Sequence, residues 1–434
     1  MRTMPHHVTQ AAPAAPVPTV ASPQTPHHHP WPGQAILNDP VTARVLHAAW
    51  SGDPAVIVPS PPGAGKTRLV ALLAAALAGR ADLRVGIAAQ TRDQAVELAR
   101  RVGALTDTAA LIWSAKHPRP DTPGTRIATG TGVRYPTDHG GILIATTARW
   151  LYCDPAQLRC DIMIEDESWQ ATYGDLGALG AYATQVVCVG DPGQIDPVVT
   201  GETRRWRTSP TGPHLPAPDA LIAAHGDAIA TVTLRHTWRL GPDTTALIQP
   251  AFYPTLPFTS RRPPEHLTDP TGHPLPEIAH QQVAVNAGPG DPALVTACAD
   301  RVRTLLDTHL HTSEGTRALS DKDVAVVCAH VTQAAAVRAT LAHHPHLLVG
   351  TANQLQGLER HAVVALHPLA GYRDTEGHAT DPGRACVMLS RHRAHLSVVL
   401  DATTPTVLNT APDDDTAART HRTVTAALLN TPHV

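Results

Sequence analysis

The sequence predicts an α/β protein of two lobes, each a mostly parallel sheet flanked by helices. Three observations predict it: short β-branched runs recur along the chain, Ala/Leu-rich helical stretches separate them, and the alternation stops in mid-chain before resuming. Strands that alternate with helices read as parallel neighbours joined by right-handed crossovers.

The first set of strands is expected at Ala55 to Pro59, Arg84 to Ala89, Ile142 to Thr146, Asp161 to Ile164 and Gln185 to Gly190. The pattern fades from Thr200 to Ala230, which is dense in Pro, Arg and Thr, and again from Gly241 to Pro292. It returns with Asp323 to Ala329, His361 to Leu366 and Leu396 to Leu400, spaced by helical stretches such as Thr332 to Ala342. The expected domains are therefore residues 35–222 and 223–410. Residues 1–34 are rich in Pro, Ala and His without a hydrophobic period, the composition of a disordered tail, and residues 411–434 read as a polar tail or terminal helix.

Bulk properties narrow the class. A chain of 434 residues, 42% hydrophobic, can fill two or three ordinary cores. No apolar run reaches bilayer length and the N-terminus lacks a charged-then-apolar signal, so a cytoplasmic protein without a membrane partner is expected. Cys153, Cys160, Cys188, Cys298, Cys328 and Cys386 are scattered with no Cys-x-x-Cys pair and read as small buried hydrophobes. The 27 histidines mostly lack a carboxylate or cysteine at ligand spacing and read as compositional bias. A net charge of −3 gives no global signature for nucleic acid, so any such partner must use a local groove. Only Lys66, Lys116 and Lys322 survive the bias towards arginine, which singles them out for a specific task.

Lys66 has an evident one. The strand at Ala55 to Pro59 runs into Ser60-Pro61-Pro62-Gly63-Ala64-Gly65-Lys66-Thr67 and then into a helical run. A glycine-rich turn between strand and helix lets backbone N–H groups wrap phosphates at a helix N-terminus, so Pro62, Gly63, Ala64 and Gly65 form the cradle, Lys66 reaches the β and γ phosphates and Thr67 ligates Mg²⁺. Ser60 stands where the first glycine of the G-x-x-x-x-G-K-T pattern is usual. Such a loop needs carboxylates. Asp161-Ile162-Met163-Ile164-Glu165 leads into Asp166-Glu167, which reads as a buried strand delivering Asp166 to Mg²⁺ and Glu167 as the base that polarises water. Glu165 occupies an apolar position on the opposite face and is given no role.

Beyond this point the residues resemble a family. Asp166-Glu167-Ser168-Trp169-Gln170-Ala171-Thr172 looks like the second motif of superfamily 1 helicases, in the branch of the nonsense-mediated decay helicase. Ala89 to Ala95 resembles the motif that touches the nucleic-acid backbone, and Val189 to Pro197 the G-D-x-x-Q-x-x-P motif, whose glutamine, here Gln194, senses the γ-phosphate. Leu234 to Leu240 resembles L-x-x-Q-Y-R-M, which puts Arg239 at the γ-phosphate and Trp238 at the aromatic position. Thr351 to Glu359 is similar to T-V-D-x-F-Q-G-x-E, which adds Gly357 and Glu359 to the nucleotide site, and Val387 to Arg393 looks like V-A-L-T-R-A, with Arg391 as the finger.

The resemblance covers about Ala55 to Asp401 and implies two RecA-like P-loop domains that hydrolyse ATP with Mg²⁺ at a cleft between them. The first lobe would supply Lys66, Thr67, Asp166, Glu167 and Gln194, and the second Arg239 and Arg391. It further implies movement along single-stranded nucleic acid, DNA before RNA, in the 5′ to 3′ direction; Thr91, Arg92, Thr351 and, as a tryptophan flanked by three arginines, the cluster Arg204-Arg205-Trp206-Arg207 are the candidate strand contacts, a solvated basic loop being the other reading of the cluster. Val41 stands where the family often has an adenine-reading glutamine, and the spacers between motifs are short, which favours translocation over processive unwinding. An ATP-dependent switch that regulates a protein partner, with little motor activity, is the alternative.

Overall fold

The computed structural model describes residues 39–130, 132–375 and 377–434; the expected tail at 1–34 and the first residues of the expected domain at 35–222 lie outside them. The chain divides into two compact units. One comprises the described residues up to Val58, Lys66–Val189 and Glu202–Val232; the other comprises Pro59–Gly65, Gly190–Gly201 and Thr233–Val434.

The first unit is built on an eight-stranded sheet. Its strands are β1 (Ala55–Pro59), β2 (Val85–Ala89), β3 (Ala109–Ile112), β4 (Thr125–Ala128), β5 (Ile142–Thr146), β6 (Ile162–Asp166), β7 (Val186–Gly190) and the two-residue β8 (Ala230–Thr231). They lie in the order β4-β3-β5-β2-β6-β7-β1-β8. The registers of β4 with β3, β3 with β5, β5 with β2, β2 with β6, β6 with β7 and β1 with β8 are all parallel. Central strands are buried on both faces because helices cover both sides of the sheet.

Helices α1 (Pro40–Ser51), α2 (Lys66–Ala81) and α3 (Arg92–Gly103) provide much of that cover, and α4 (Thr147–Trp150), α5 (Tyr173–Leu179) and α6 (Ala217–His225) complete it. Asp39 caps α1, accepting from Val41 N at 3.1 Å and Thr42 N at 3.3 Å, with Pro40 preset for the first turn. In α2 every residue from Leu69 to Ala78 is buried, which fits a helix hydrophobic on all sides. Trp150 is fully buried, and its Nε1 donates to Ile87 O at 2.9 Å, so the bulkiest core side chain leaves no polar atom unpaired.

The second unit contains β9 (His236–Thr237), β10 (Thr259–Ser260), β11 (His266–Thr268), β12 (Ile278–Val283), β13 (His309–Thr312), β14 (Gly315–Ala318), β15 (Val324–Cys328), β16 (Leu348–Thr351), β17 (Arg360–Leu366) and β18 (His392–Asp401). Its main sheet runs β12-β18-β17-β15-β16, parallel at every pairing. Strands β11, β13 and β14 make a small antiparallel sheet, and β9 pairs with β10. The helices are α7 (Pro242–Phe252), α8 (Pro292–Leu306), α9 (Val331–Thr340), α10 (Ala352–Leu355), α11 (Pro382–Leu389), α12 (Thr404–Asn409) and α13 (Thr416–Leu429). Both units are thus α/β, with mostly parallel sheets flanked by helices, as the alternation predicts.

Three features depart from the sequence expectations. The change of unit after the first sheet falls at Val232/Thr233, because Ala230 and Thr231 still pair with β1. The second unit runs past its expected end at 410: of the two readings for residues 411–434 the terminal helix is the one found, Val424 and Leu428 of α13 enter the core, and His280 N donates to Pro432 O at 3.0 Å. The loops Pro59–Gly65 and Gly190–Gly201 group with the second unit although the strands they leave lie in the first sheet.

Candidate nucleotide site

The glycine-rich loop leaves β1 and enters α2 at Lys66, as its sequence predicts. Gly63 and Gly65 have φ of +71° and +85°, a region open to glycine at little cost. At Gly63 a side chain would also have no room, because its Cβ would overlap Arg239 Cβ and crowd the Thr237 hydroxyl. Thr237 Oγ1 donates to Pro62 O at 2.7 Å and Trp238 N to Gly63 O at 2.9 Å, so the segment carrying Arg239 is stitched directly to the loop.

Ser60 explains its own departure from glycine. It is fully buried, and both its N–H (3.0 Å) and its hydroxyl (2.7 Å) donate to Gly190 O, the end of β7. This pins the start of the phosphate loop to the start of the loop that carries Gln194.

Lys66 is buried, with Nζ 3.8 Å from Glu167 Oε1. Asp166, at the end of β6, is buried and accepts from Glu167 N at 3.1 Å. Burial first, and then the neighbouring Glu167 carboxylate, push Asp166 well above the ordinary carboxylate range, against the pull of Lys66. Glu167 has φ of +54°, a conformation that costs a non-glycine residue on the order of 1–3 kcal/mol and that clusters at functional sites.

Glu165 lies on the opposite face of β6, in register with Cys188 of β7. It is completely buried, neither carboxylate oxygen has a hydrogen-bond partner, and burial, then Asp175, push it up to about 8. An unpaired buried carboxyl is a stability cost, so Glu165→Met is expected to stabilise the protein by roughly 1–3 kcal/mol. A urea titration that placed the variant's midpoint at or below that of wild type would reject this.

Gln194 requires a correction. It was expected from the first lobe, but its loop groups with the second unit, and Ile195 beside it enters that unit's core. Its Nε2 donates to Asp191 Oδ2 at 2.6 Å, and its Oε1 accepts from Gln356 Nε2 at 3.0 Å. Asp191 is buried and accepts from Gly193 N at 3.0 Å and Tyr253 OH at 2.8 Å. These bonds fasten the loop to the second unit, which the position of its strand in the first sheet could not reveal.

Arg239 Nε donates to Glu359 Oε2 at 2.5 Å, and its Nη1 reaches Ser390 O at 3.4 Å. Gly357, with φ of +82°, turns the chain just ahead of Glu359. Burial raises Glu359, but Arg239 and Arg393 outweigh it and hold the carboxyl below its usual range. Arg391 is only 2% exposed; its Nε donates to Val387 O at 3.1 Å and its Nη2 to Ser390 Oγ at 2.9 Å. Burial and then Arg239 depress it to about 10, so it keeps its charge at neutral pH. The structure brings Pro62, Gly63, Arg239, Glu359 and Arg391 together within the second unit, and Lys66, Asp166 and Glu167 within the first. Trp238, at the aromatic position, is 52% exposed.

The predicted strand contacts divide by exposure. Thr91 and Arg92 are exposed, whereas Thr351 is buried. Both threonines cap helices by the same device: Gln94 N donates to Thr91 Oγ1 at 3.2 Å and Thr91 N to Gln94 Oε1 at 2.9 Å. Gln354 and Thr351 repeat the exchange at 3.4 and 3.0 Å. The Thr-x-x-Gln spacing is a capping-box signature visible in the sequence. Arg204, Arg205 and Arg207 are exposed around a half-buried Trp206, and the Arg205 guanidinium lies 3.8 Å from the Trp206 ring centre.

The family model for an AAA domain matches residues 37–213. With the loop and its acids, that match makes this region similar to P-loop NTPase domains, a nucleotide-binding class. No curated protein sequence matches the chain. Among solved structures, the PRRSV helicase is 16% identical over 85% of this chain and 55% of its own, with a TM-score of 0.43. Arterivirus nonstructural protein 10, a helicase, is 15% identical over 86% of this chain and 63% of its own, with a TM-score of 0.43. Its complex with DNA gives 14% identity, 83% and 63% coverage, and a TM-score of 0.43. The chain therefore spans 55% to 63% of the length of these structures. No helix among the described residues is long and apolar enough to cross a membrane.

Proposed function

We propose that the protein is an ATP-dependent nucleic-acid translocase or helicase of superfamily 1, related to the branch of the nonsense-mediated decay helicase. The observation that carries the reading is the constellation at the end of β6: a buried Asp166, a Glu167 held at positive φ, and Lys66 Nζ 3.8 Å from Glu167. The residues fit a magnesium-bound triphosphate. Gly63 and Gly65 offer backbone donors, Ala64 lines the cradle with its N–H on Pro61 O at 3.3 Å, Lys66 offers the counter-charge, and Thr67 with Asp166 would give oxygen ligands for the cation. Bound Mg²⁺ would supply neutralisation of phosphate charge.

The chain's own residues then divide the work. Glu167 accepts the proton of the attacking water, Gln194 positions the reacting centre, and Arg239 and Arg391 meet the charge that develops on the transferred group. Gly357 and Glu359 complete the nucleotide contacts. Arg92, Thr91 and the Arg204–Arg207 cluster are assigned to single-stranded nucleic acid, DNA before RNA, with Thr351 acting through the helix it caps.

Single-stranded DNA is expected to raise steady-state ATP hydrolysis several-fold, with duplex DNA and RNA as comparison arms. A rate indifferent to all three would reject the motor. Slow turnover joined to nucleotide-dependent capture of a protein would favour a switch instead.

A further inference from the structure

Within the second unit Arg239 shares its carboxylate. Glu359 Oε2 accepts from Arg239 Nε at 2.5 Å, while Glu359 Oε1 accepts from Arg393 Nη1 at 3.1 Å. Arg393 is held in turn by Glu265: its Nε donates to Oε2 at 3.0 Å, and its Nη2 grips Oε1. Glu265 is buried, and His361 Nδ1 lies 3.3 Å from it. Two guanidiniums and two carboxylates thus alternate in a row that begins beside Gly63 and ends in the interior.

The row bears on how Arg239 can act. Its Nε is held by Glu359 and its Nη1 lies 3.4 Å from Ser390 O, so swinging the guanidinium towards a phosphate oxygen loosens the bond to Glu359. Releasing one partner of this pair costs the other its counter-charge, a penalty that water lessens at Glu359, whose side chain is 38% exposed. Glu359 escapes that penalty because Arg393 is already bonded to its second oxygen. Arg393 itself does not collapse wholly onto Glu359, because the forked pair with Glu265 is the better-made contact.

We propose that Arg393 and Glu265 are positioning residues that set how readily Arg239 exchanges Glu359 for a phosphate oxyanion, an inference that rests on the ATP reading above. Arg393 competes with Arg239 for Glu359 and so favours release; Glu265 competes with Glu359 for Arg393 and so restrains it. The two residues therefore act on Arg239 with opposite signs, although they are bonded to each other.

Steady-state ATPase kinetics on the full chain, with single-stranded DNA, test this directly. Arg393→Met leaves Glu359 to Arg239 alone and is expected to lower kcat by about 10- to 100-fold, the scale of a misplaced catalytic group, with KM for ATP changed less than threefold. Arg393→Lys, which keeps the charge, is expected to recover most of the loss. Glu265→Gln frees Arg393 to engage Glu359 more fully and is expected to hold or raise kcat. Thermal melting of each variant separates these effects from unfolding. If Arg393→Met and Glu265→Gln lower kcat alike, if Arg393→Met leaves it unchanged, or if the lysine variant is as poor as methionine, the exchange is wrong while the ATP reading stands. A wild-type chain that hydrolyses no ATP under any condition removes both.

Discussion

Glu167→Gln is expected to reduce ATP turnover by roughly 10²- to 10⁴-fold, the range that a positioned general base contributes, while nucleotide binding is kept or tightened. The amide preserves the volume of the side chain and the backbone at φ of +54°, but it cannot accept a proton. It also removes the negative charge that, after burial, does most to push Asp166 upwards. Asp166 is then left ionised more readily, with Lys66 still present, so the cation ligand improves as the base is lost. Lys66→Ala should behave differently. It withdraws the positive charge that opposes the Asp166 shift and the charge assigned to the phosphates, so both turnover and nucleotide affinity should fall. Parallel measurements of turnover and of fluorescent-nucleotide binding distinguish the two. A glutamine variant that turned over at the wild-type rate would remove Glu167 from the reaction.

What the sequence made legible follows from burial. Strands β5, β6 and β15 are covered on both faces, so their apolar runs stand out without any alternation. The edge strands do not. β12, reading Ile-Ala-His-Gln-Gln-Val, has only one strand neighbour in its sheet and carries polar residues in its second half, so it fell inside a stretch that reads as irregular. β4, Thr-Arg-Ile-Ala, and the two-residue β8 are edges of the other sheet and equally faint.

The site shows the same division. Lys66, Asp166 and Glu167 were readable because loop geometry and strand-end position both constrain residue type. The pinning of Ser60 to Gly190, across 130 positions, and the pairing of Arg393 with Glu265, across 128, leave no periodic trace. Which loop packs with which unit is likewise a tertiary outcome. It moved Gln194 from one unit to the other without changing a single motif.

Acidification from pH 7 to pH 5 is expected to destabilise the second unit severely, and the cause is four buried histidines. His367, His392, His395 and His421 are each at most 2% exposed. Burial before any other cause depresses His367 to about 3, His395 and His421 to about 4, and His392 well below its usual range. Burial outweighs contacts that favour the charged ring, namely Pro276 O on His395 and Thr380, Asp381 and Asp415 about His421. His367 Nδ1 accepts from Leu369 N at 3.2 Å, and so carries no proton, and its ring lies 6.0 Å from that of His421.

An unfolded histidine titrates near 6.5, so between about pH 4 and 6.5 the unfolded chain binds more protons than the native one, and stability must fall as pH drops through that window. Each ring costs on the order of 2 kcal/mol by pH 5, and four together approach the whole stability of an ordinary domain, about 5–15 kcal/mol. Paired carboxylates do not blur the window. Glu265, raised by burial but held down to about 2 by His361 and Arg393, loses its contribution only below the unfolded carboxylate range near pH 4. In the first unit, Glu165 runs the opposite way: raised to about 8, it destabilises the native state most at high pH and is relieved by acid. Urea midpoints at pH 7, 6 and 5, followed by exchange of backbone amides in each unit, should show β17 and β18 losing protection as β5 and β6 keep theirs. Equal loss in both units, or a midpoint that does not move between pH 7 and 5, would mean that these imidazoles are not held neutral by their burial.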